Sequence, residues 1–167
     1  MTMSAATWGT TPDECAVPLP CDRHLPGAGS VMHRAIDIDA PPRTVFRWLC
    51  QLRVAPYSYD LIDNFGRRSP QRLTPGLEKL EVGQRFMTIF DLVEFEQNSQ
   101  ITLVVRRGRY AFGTAAVTYA VKRNGTSGSR LLVRVATRRR SRVLPWLDLV
   151  MMRRQLLNLK GLAEGSH

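Results

Sequence analysis

The stretch Val31-Met32-His33-Arg34-Ala35-Ile36-Asp37-Ile38-Asp39, with Ala40-Pro41-Pro42 after it, decides the fold. Met32, Arg34, Ile36 and Ile38 share one parity and Val31, His33, Ala35, Asp37 and Asp39 the other, the pattern of a half-buried strand. The prolines then open a helix, because proline is tolerated in a first turn whose N–H has no partner, with Asp39 near its cap. Val45, Trp48, Leu49 and Leu52 recur at steps of three and four, so this helix runs to about Leu52 on one apolar stripe, with Arg43, Arg47 and Gln51 on the wet side.

Further along, Tyr57 to Gly66 reads as a second short helix, with Ser58 as its cap and Gly66 as its stop. Strand-forming residues return over Arg85 to Glu96, Gln100 to Arg107, Ala111 to Arg123 and Ser129 to Thr137, an antiparallel meander. From Pro145 to about Ala163, Leu149, Met152, Leu156 and Leu159 fall within an arc of roughly 80°, the apolar face of a long terminal helix. This order predicts an α+β fold, a curved antiparallel sheet with its helices on one face. A bent sheet gripping one long helix closes incompletely, and the tunnel left between them is a default ligand site. Residues 1–30, rich in Pro, Thr, Gly and Ala, are expected to form an irregular leader, packed from about Pro18 onward on a domain over 31–164, and Gly165, Ser166 and His167 read as a tag remnant.

The chain has 167 residues, 44% hydrophobic and 23% charged, which suits one soluble domain. Its net charge of +10 is almost wholly arginine, since only Lys79, Lys122 and Lys160 are lysines. Scattered solvated charge of a GC-rich genome accounts for that as readily as an anionic partner does. The apolar run Val143 to Met152 is broken by Pro145 and Asp148 and is too short to span a bilayer. The first thirty residues lack a basic head and apolar run, so a cytoplasmic location is expected. Cys15, Cys21 and Cys50 have no metal-ligand spacing, and pairing of Cys15 with Cys21 stays open. No cofactor is expected, and metal binding is disfavoured because His24 and His33 stand apart from any carboxylate cluster. Nucleophile elbows, phosphate loops and dinucleotide glycine patterns are absent.

Arg34-Ala35-Ile36-Asp37-Ile38-Asp39-Ala40-Pro41-Pro42, then Val45, Phe46, Trp48 and Leu49, then Tyr57-Ser58-Tyr59-Asp60 with Asp63 and Asn64, resembles the bacterial SRPBCC proteins of the START-like superfamily over roughly Pro18 to Ala163. The resemblance implies the helix-grip fold and a hydrophobic cavity. That superfamily holds polyketide cyclases, lipid-transfer domains and the birch-pollen-allergen group, so it does not imply one reaction. Here Arg53-Val54-Ala55-Pro56 replaces the glycines and aromatic residue that precede Tyr-Ser-Tyr-Asp in the family pattern, a shorter link at the expected entrance.

Asp60 and Asp63, three apart, share a helix face and suit an acid and base pair; equally, they suit the positive end of a helix beside Arg67 and Arg68. Trp48, Tyr57 and Tyr59 either line the cavity mouth or belong to the core. Tyr119 shares its parity with Ala115, Val117 and Val121 and needs a partner for its hydroxyl, from a ligand, water or the core. Leu149, Met152 and Leu156 form the expected tunnel wall. Arg138, Arg139, Arg140 and Arg142 precede Val143, Leu144, Trp146 and Leu147, a basic and apolar conjunction that would suit an anionic bilayer or a solvated strand end. Nucleic-acid recognition is disfavoured, as no signature accompanies these arginines. The expected function is binding of a small hydrophobic molecule, such as a lipid, isoprenoid or polyketide-like aromatic, by a carrier or sensor. The alternatives are a polyketide cyclase or dehydratase-like enzyme with Asp60, Asp63 or Tyr119 as acid or base, and a partner protein whose tunnel its own side chains fill.

Overall fold

Alternating residues in the second half of the chain build most of one sheet, which two apolar helices then cover. The computed structural model describes residues 5–57, 68–105 and 113–166. The elements are β1 (Thr7–Trp8), α1 (Pro12–Ala16), α2 (Pro20–His24), β2 (Ser30–Ile38), α3 (Pro42–Cys50), a 3-10 turn (Gln51–Arg53), β3 (Arg85–Phe86), β4 (Phe90–Glu96), β5 (Gln100–Val105), β6 (Ala115–Asn124), β7 (Gly128–Thr137) and α4 (Leu144–Glu164). The curved, unclosed sheet has the order β1-β2-β7-β6-β5-β4-β3, antiparallel except for the parallel β1–β2 pair. This is the expected α+β helix-grip arrangement. The proposed helix from Tyr57 to Gly66 lies, after Tyr57, outside the described residues, as do Tyr59, Asp60 and Asp63.

The concave face carries Met32 and Ile38 of β2, Leu131, Val133 and Val135 of β7, Val117, Tyr119 and Val121 of β6, Ile101 and Leu103 of β5 and Leu92 of β4. All pack in one core with Trp48 and Leu49 of α3 and Leu156 and Leu159 of α4. Helix α3 begins two residues later than the Asp39 cap predicts. Pro42 holds Pro41 extended (φ −65°, ψ 152°), which makes Pro41 the capping position. Gln51, assigned to the wet side, is buried, because its side chain accepts the Thr74 N–H at 2.9 Å and ties down the loop that follows.

Two expectations need correction. The leader is not irregular throughout, and the helices do not all lie on one face. On the convex face Ala35, Ala116, Ala120 and Ala136 present small side chains, and Leu19, Cys21 and Leu25 of the leader pack onto them. These small residues let short helices approach closely enough for the Cys21 N–H to reach Thr118 Oγ1 at 3.0 Å. Arg134 of β7 fastens the leader: its guanidinium donates to Asp22 Oδ2 (2.5 Å), Cys15 O (2.8 Å) and Val17 O (2.7 Å). Gly9 crosses β2 at φ +74°, where a Cβ would stand 2.1 Å from the Ala35 carbonyl oxygen, so glycine is required there.

The run Arg85 to Glu96 is not one strand. It folds back at Met87 (φ 44°) and Thr88 (φ 68°), which separate β3 from β4. A β-branched residue in this region is strained. The Met87 N–H donates to Leu52 O at 2.8 Å, which fixes the turn against the end of the first helical segment.

Candidate functional site

Strand register sets the site. One cross-strand row spans the sheet from Trp8 through Arg34, Val133, Tyr119 and Ile101 to Phe95. Two members of this row, Arg34 and Tyr119, are polar and wholly or nearly wholly buried. They stand two strands apart, roughly 10 Å. On α4, Asp148 and Gln155 are two helical turns apart, again roughly 10 Å. A helix crossing β2, β7 and β6 therefore sets Asp148 on Arg34 and Gln155 on Tyr119. The Arg34 Nη2 atom donates to Asp148 Oδ2 at 2.7 Å, and the Tyr119 hydroxyl donates to Gln155 Oε1 at 2.7 Å.

The sequence shows neither pair as a pair: Arg34 shares the parity of Met32, Ile36 and Ile38, Asp148 stands out only as an interruption of an apolar run, and Gln155 carries no signal. Their inclusion turns the buried face of α4 by roughly 40° from the leucine stripe toward Asp148 and Gln155. Met152 and Leu156 remain inward and buried, Leu149 is half-buried at the edge, and Trp146 and Met151 face outward.

Arg34 also donates through Nη1 to His33 O (2.9 Å) and through Nη2 to Pro145 O (3.2 Å), while its Nε finds no acceptor among the described residues. Burial draws the Arg34 guanidinium below its ordinary pKa, and Asp148 only partly offsets this. Burial likewise pushes the Asp148 carboxyl up to about 6 against the pull of Arg34. Both shifts favour the uncharged form, Arg34 downward and Asp148 upward: desolvation outweighs their mutual attraction, as is common for buried ion pairs. The Tyr119 phenol is pushed up by burial and by the Asp148 charge, so it is a fixed hydrogen-bond donor at neutral pH.

Gln155 links this row to the rim. Its Nε2 donates to Pro56 O (2.6 Å) and to Met87 Sδ (3.4 Å), and Asn158 Nδ2 donates to Tyr57 O (2.8 Å). Tyr57 adopts φ 54°, and its ring meets Trp48 edge to face with centroids 6.1 Å apart. Trp48 Nε1 donates to Ser166 Oγ at 2.9 Å. Trp48 and Tyr57 are thus buried beside α4. Two strained backbone segments, Tyr57 and Met87–Thr88, meet the same face of one helix through Gln155 and Asn158.

The remaining candidates fall elsewhere. Arg138, Arg139, Arg140 and Arg142 are exposed in the link between β7 and α4. Cys15, Cys21 and Cys50 are free thiols, and burial pushes Cys50 up to about 12, so it is inert. Among the described residues, no helix is long and apolar enough to cross a membrane.

No family model matches the chain. No curated protein matches it either. Solved structures do. A protein of Mesorhizobium loti is 16% identical, with 81% of this chain and 99% of the other aligned at a TM-score of 0.53. For a protein of Chromobacterium violaceum the identity is 14%, with 80% and 96% covered and a TM-score of 0.54. A hypothetical protein of Helicobacter pylori is 11% identical over 89% and 96%, with a TM-score of 0.56. At such identities the likeness is one of fold: a sheet that grips a long C-terminal helix.

Proposed function

We propose that this chain is an SRPBCC-like protein of the cytoplasm that binds a small hydrophobic molecule between α4 and the concave sheet, as a carrier or sensor. The observation that carries the reading is the pair of polar contacts, Arg34–Asp148 and Tyr119–Gln155, set inside an otherwise apolar grip. Apolar walls supply affinity at roughly 25 cal/mol per Å² buried, and a few fixed polar groups orient one end of the ligand. The sequence resemblance to START-like proteins and the helix-grip fold support the same reading. Entry and release require α4, or the segment held by Gln155 and Asn158, to move. Denaturing the purified protein in organic solvent and analysing the extract by mass spectrometry should return one dominant apolar or amphiphilic species. Repeated extracts that contain nothing beyond solvent background, from protein that also binds no lipid, isoprenoid or aromatic probe, would contradict the proposal.

One observation favours a second reading, a cyclase- or dehydratase-like enzyme. A carboxyl titrating at about 6 inside an apolar site suits general acid and base work near neutral pH, and Asp148 is such a group. In that case Asp148→Asn abolishes turnover of the extracted molecule while its binding persists, and the rate of the parent protein inflects near pH 6. Equal rates in parent and variant would exclude Asp148 from the chemistry.

A further inference from the structure

The outer face of α4 carries a second apolar stripe that the core does not use. Val143, Trp146, Val150 and Leu157 fall within roughly 60° of one another around the helix axis, and all are exposed, Trp146 at 60% and Val150 at 54%. Leu147 and Met151 widen the stripe on one side. From Val143 to Leu157 it runs roughly 21 Å.

Arginines border it. Arg142 and Arg153 flank one edge, and Arg154 stands between the stripe and its widening by Leu147 and Met151, all exposed, with Arg138, Arg139 and Arg140 just before the helix. From Arg138 to Leu162 the only carboxylate is Asp148, which points the opposite way and is held by Arg34. The face thus carries an apolar stripe with arginines on both sides of it and, among the described residues, no negative charge.

We infer that α4 docks flat on an anionic bilayer, with Trp146 and Val150 at the boundary between headgroups and acyl chains and Arg142, Arg153 and Arg154 reaching out to lipid phosphates. Helices of this type lie in the interface plane, where long basic side chains place their stems among apolar groups and their charges in the headgroups. Charge complementarity selects this occupant over a second copy of the chain. A two-fold contact along the stripe would bring the six arginines of two copies together with no carboxylate between them. The inference extends the basic and apolar conjunction at Arg138 to Leu147 to a whole helix face. It stands independently of any ligand in the grip, although docking would set the inner face of the same helix next to the bilayer.

The test is co-sedimentation with vesicles of phosphatidylcholine, with and without phosphatidylglycerol, at low and high salt. The protein should pellet only with the anionic vesicles, and less so as salt rises. An Arg142→Gln, Arg153→Gln, Arg154→Gln variant should lose roughly a hundredfold in partitioning at low salt. Trp146→Ser with Val150→Ser should weaken binding even at high salt. Because all five side chains are exposed, melting temperatures should stay near that of the parent, and circular dichroism verifies that both variants are folded. Equal pelleting with neutral vesicles, no pelleting at all, or parent-like binding by both variants overturns the inference. So does a dimer in solution whose dissociation on dilution shifts the Met151 methyl resonance, which would show that a second copy covers the face.

Discussion

Replacing Arg34 by methionine is expected to lower stability by about 3–5 kcal/mol, because it leaves the Asp148 carboxylate buried without its partner. Arg34 is fully buried and its Nη2 lies 2.7 Å from Asp148 Oδ2. Changing both residues, Arg34→Met with Asp148→Leu, should return stability close to that of the parent, since burial disfavours the charged form of each partner. The pH dependence follows from the direction of the Asp148 shift. Its folded-state pKa, about 6, lies above the ordinary value near 4, so the folded protein binds this proton more tightly than the unfolded chain does. The resulting stabilisation is fully present below about pH 4 and is lost as pH rises through 6. In Arg34→Met the carboxyl has lost its cation and titrates higher still, so the cost of that substitution should be largest above pH 7 and shrink on acidification. Urea titrations of parent, single and double variants at pH 5 and pH 8 measure this. A double variant as unstable as Arg34→Met, or a cost independent of pH, would show that the pair does not behave as described.

Arg134→Met should cost about 2–4 kcal/mol, and the loss should appear first as release of the leader. The substitution removes the donor to Asp22, Cys15 O and Val17 O in one step. Limited proteolysis should then cut within residues 10–28 before the sheet is attacked. Arg134→Lys should not restore protection, because a single ammonium cannot serve the carboxylate and two separate carbonyls that the guanidinium fork reaches. If the leader of Arg134→Met stays as resistant as in the parent, packing of Leu19, Cys21 and Leu25 on the alanines holds it without the arginine.

These two arginines mark what the sequence made visible and what it did not. The inward parity of Met32, Ile36 and Ile38, the double proline and the leucine spacing of the last helix carry the helix-grip architecture, because each is a local pattern of period two or 3.6. Asp148 is 114 positions from Arg34, and no local pattern distinguishes a carboxylate that finds such a partner from one that merely interrupts an apolar run. The leucine stripe therefore puts Met152 and Leu156 on the buried face, where they lie, and sets the helix slightly off its true rotation. The leader had a readable signal in the alanines at 35, 116, 120 and 136, which on a strand face invite close packing. The fold-back at Met87 and Thr88 had none, since neither residue type favours positive φ.

Methionine methyl groups offer a direct test of the central claim that the inner face of α4 meets a hydrophobic ligand. Met32 and Met152 lie inside the grip, Met87 touches Gln155, and Met151 lies outside on the same helix as Met152. In protein labelled at the methionine methyls and stripped of bound molecules, titration with oleate, farnesol or 2-naphthol should shift Met152 and at least one of Met32 and Met87, saturably, and leave Met151 in place. If the three inner methyls stay unmoved by every probe, or Met151 alone shifts, the ligand site is not between α4 and the sheet.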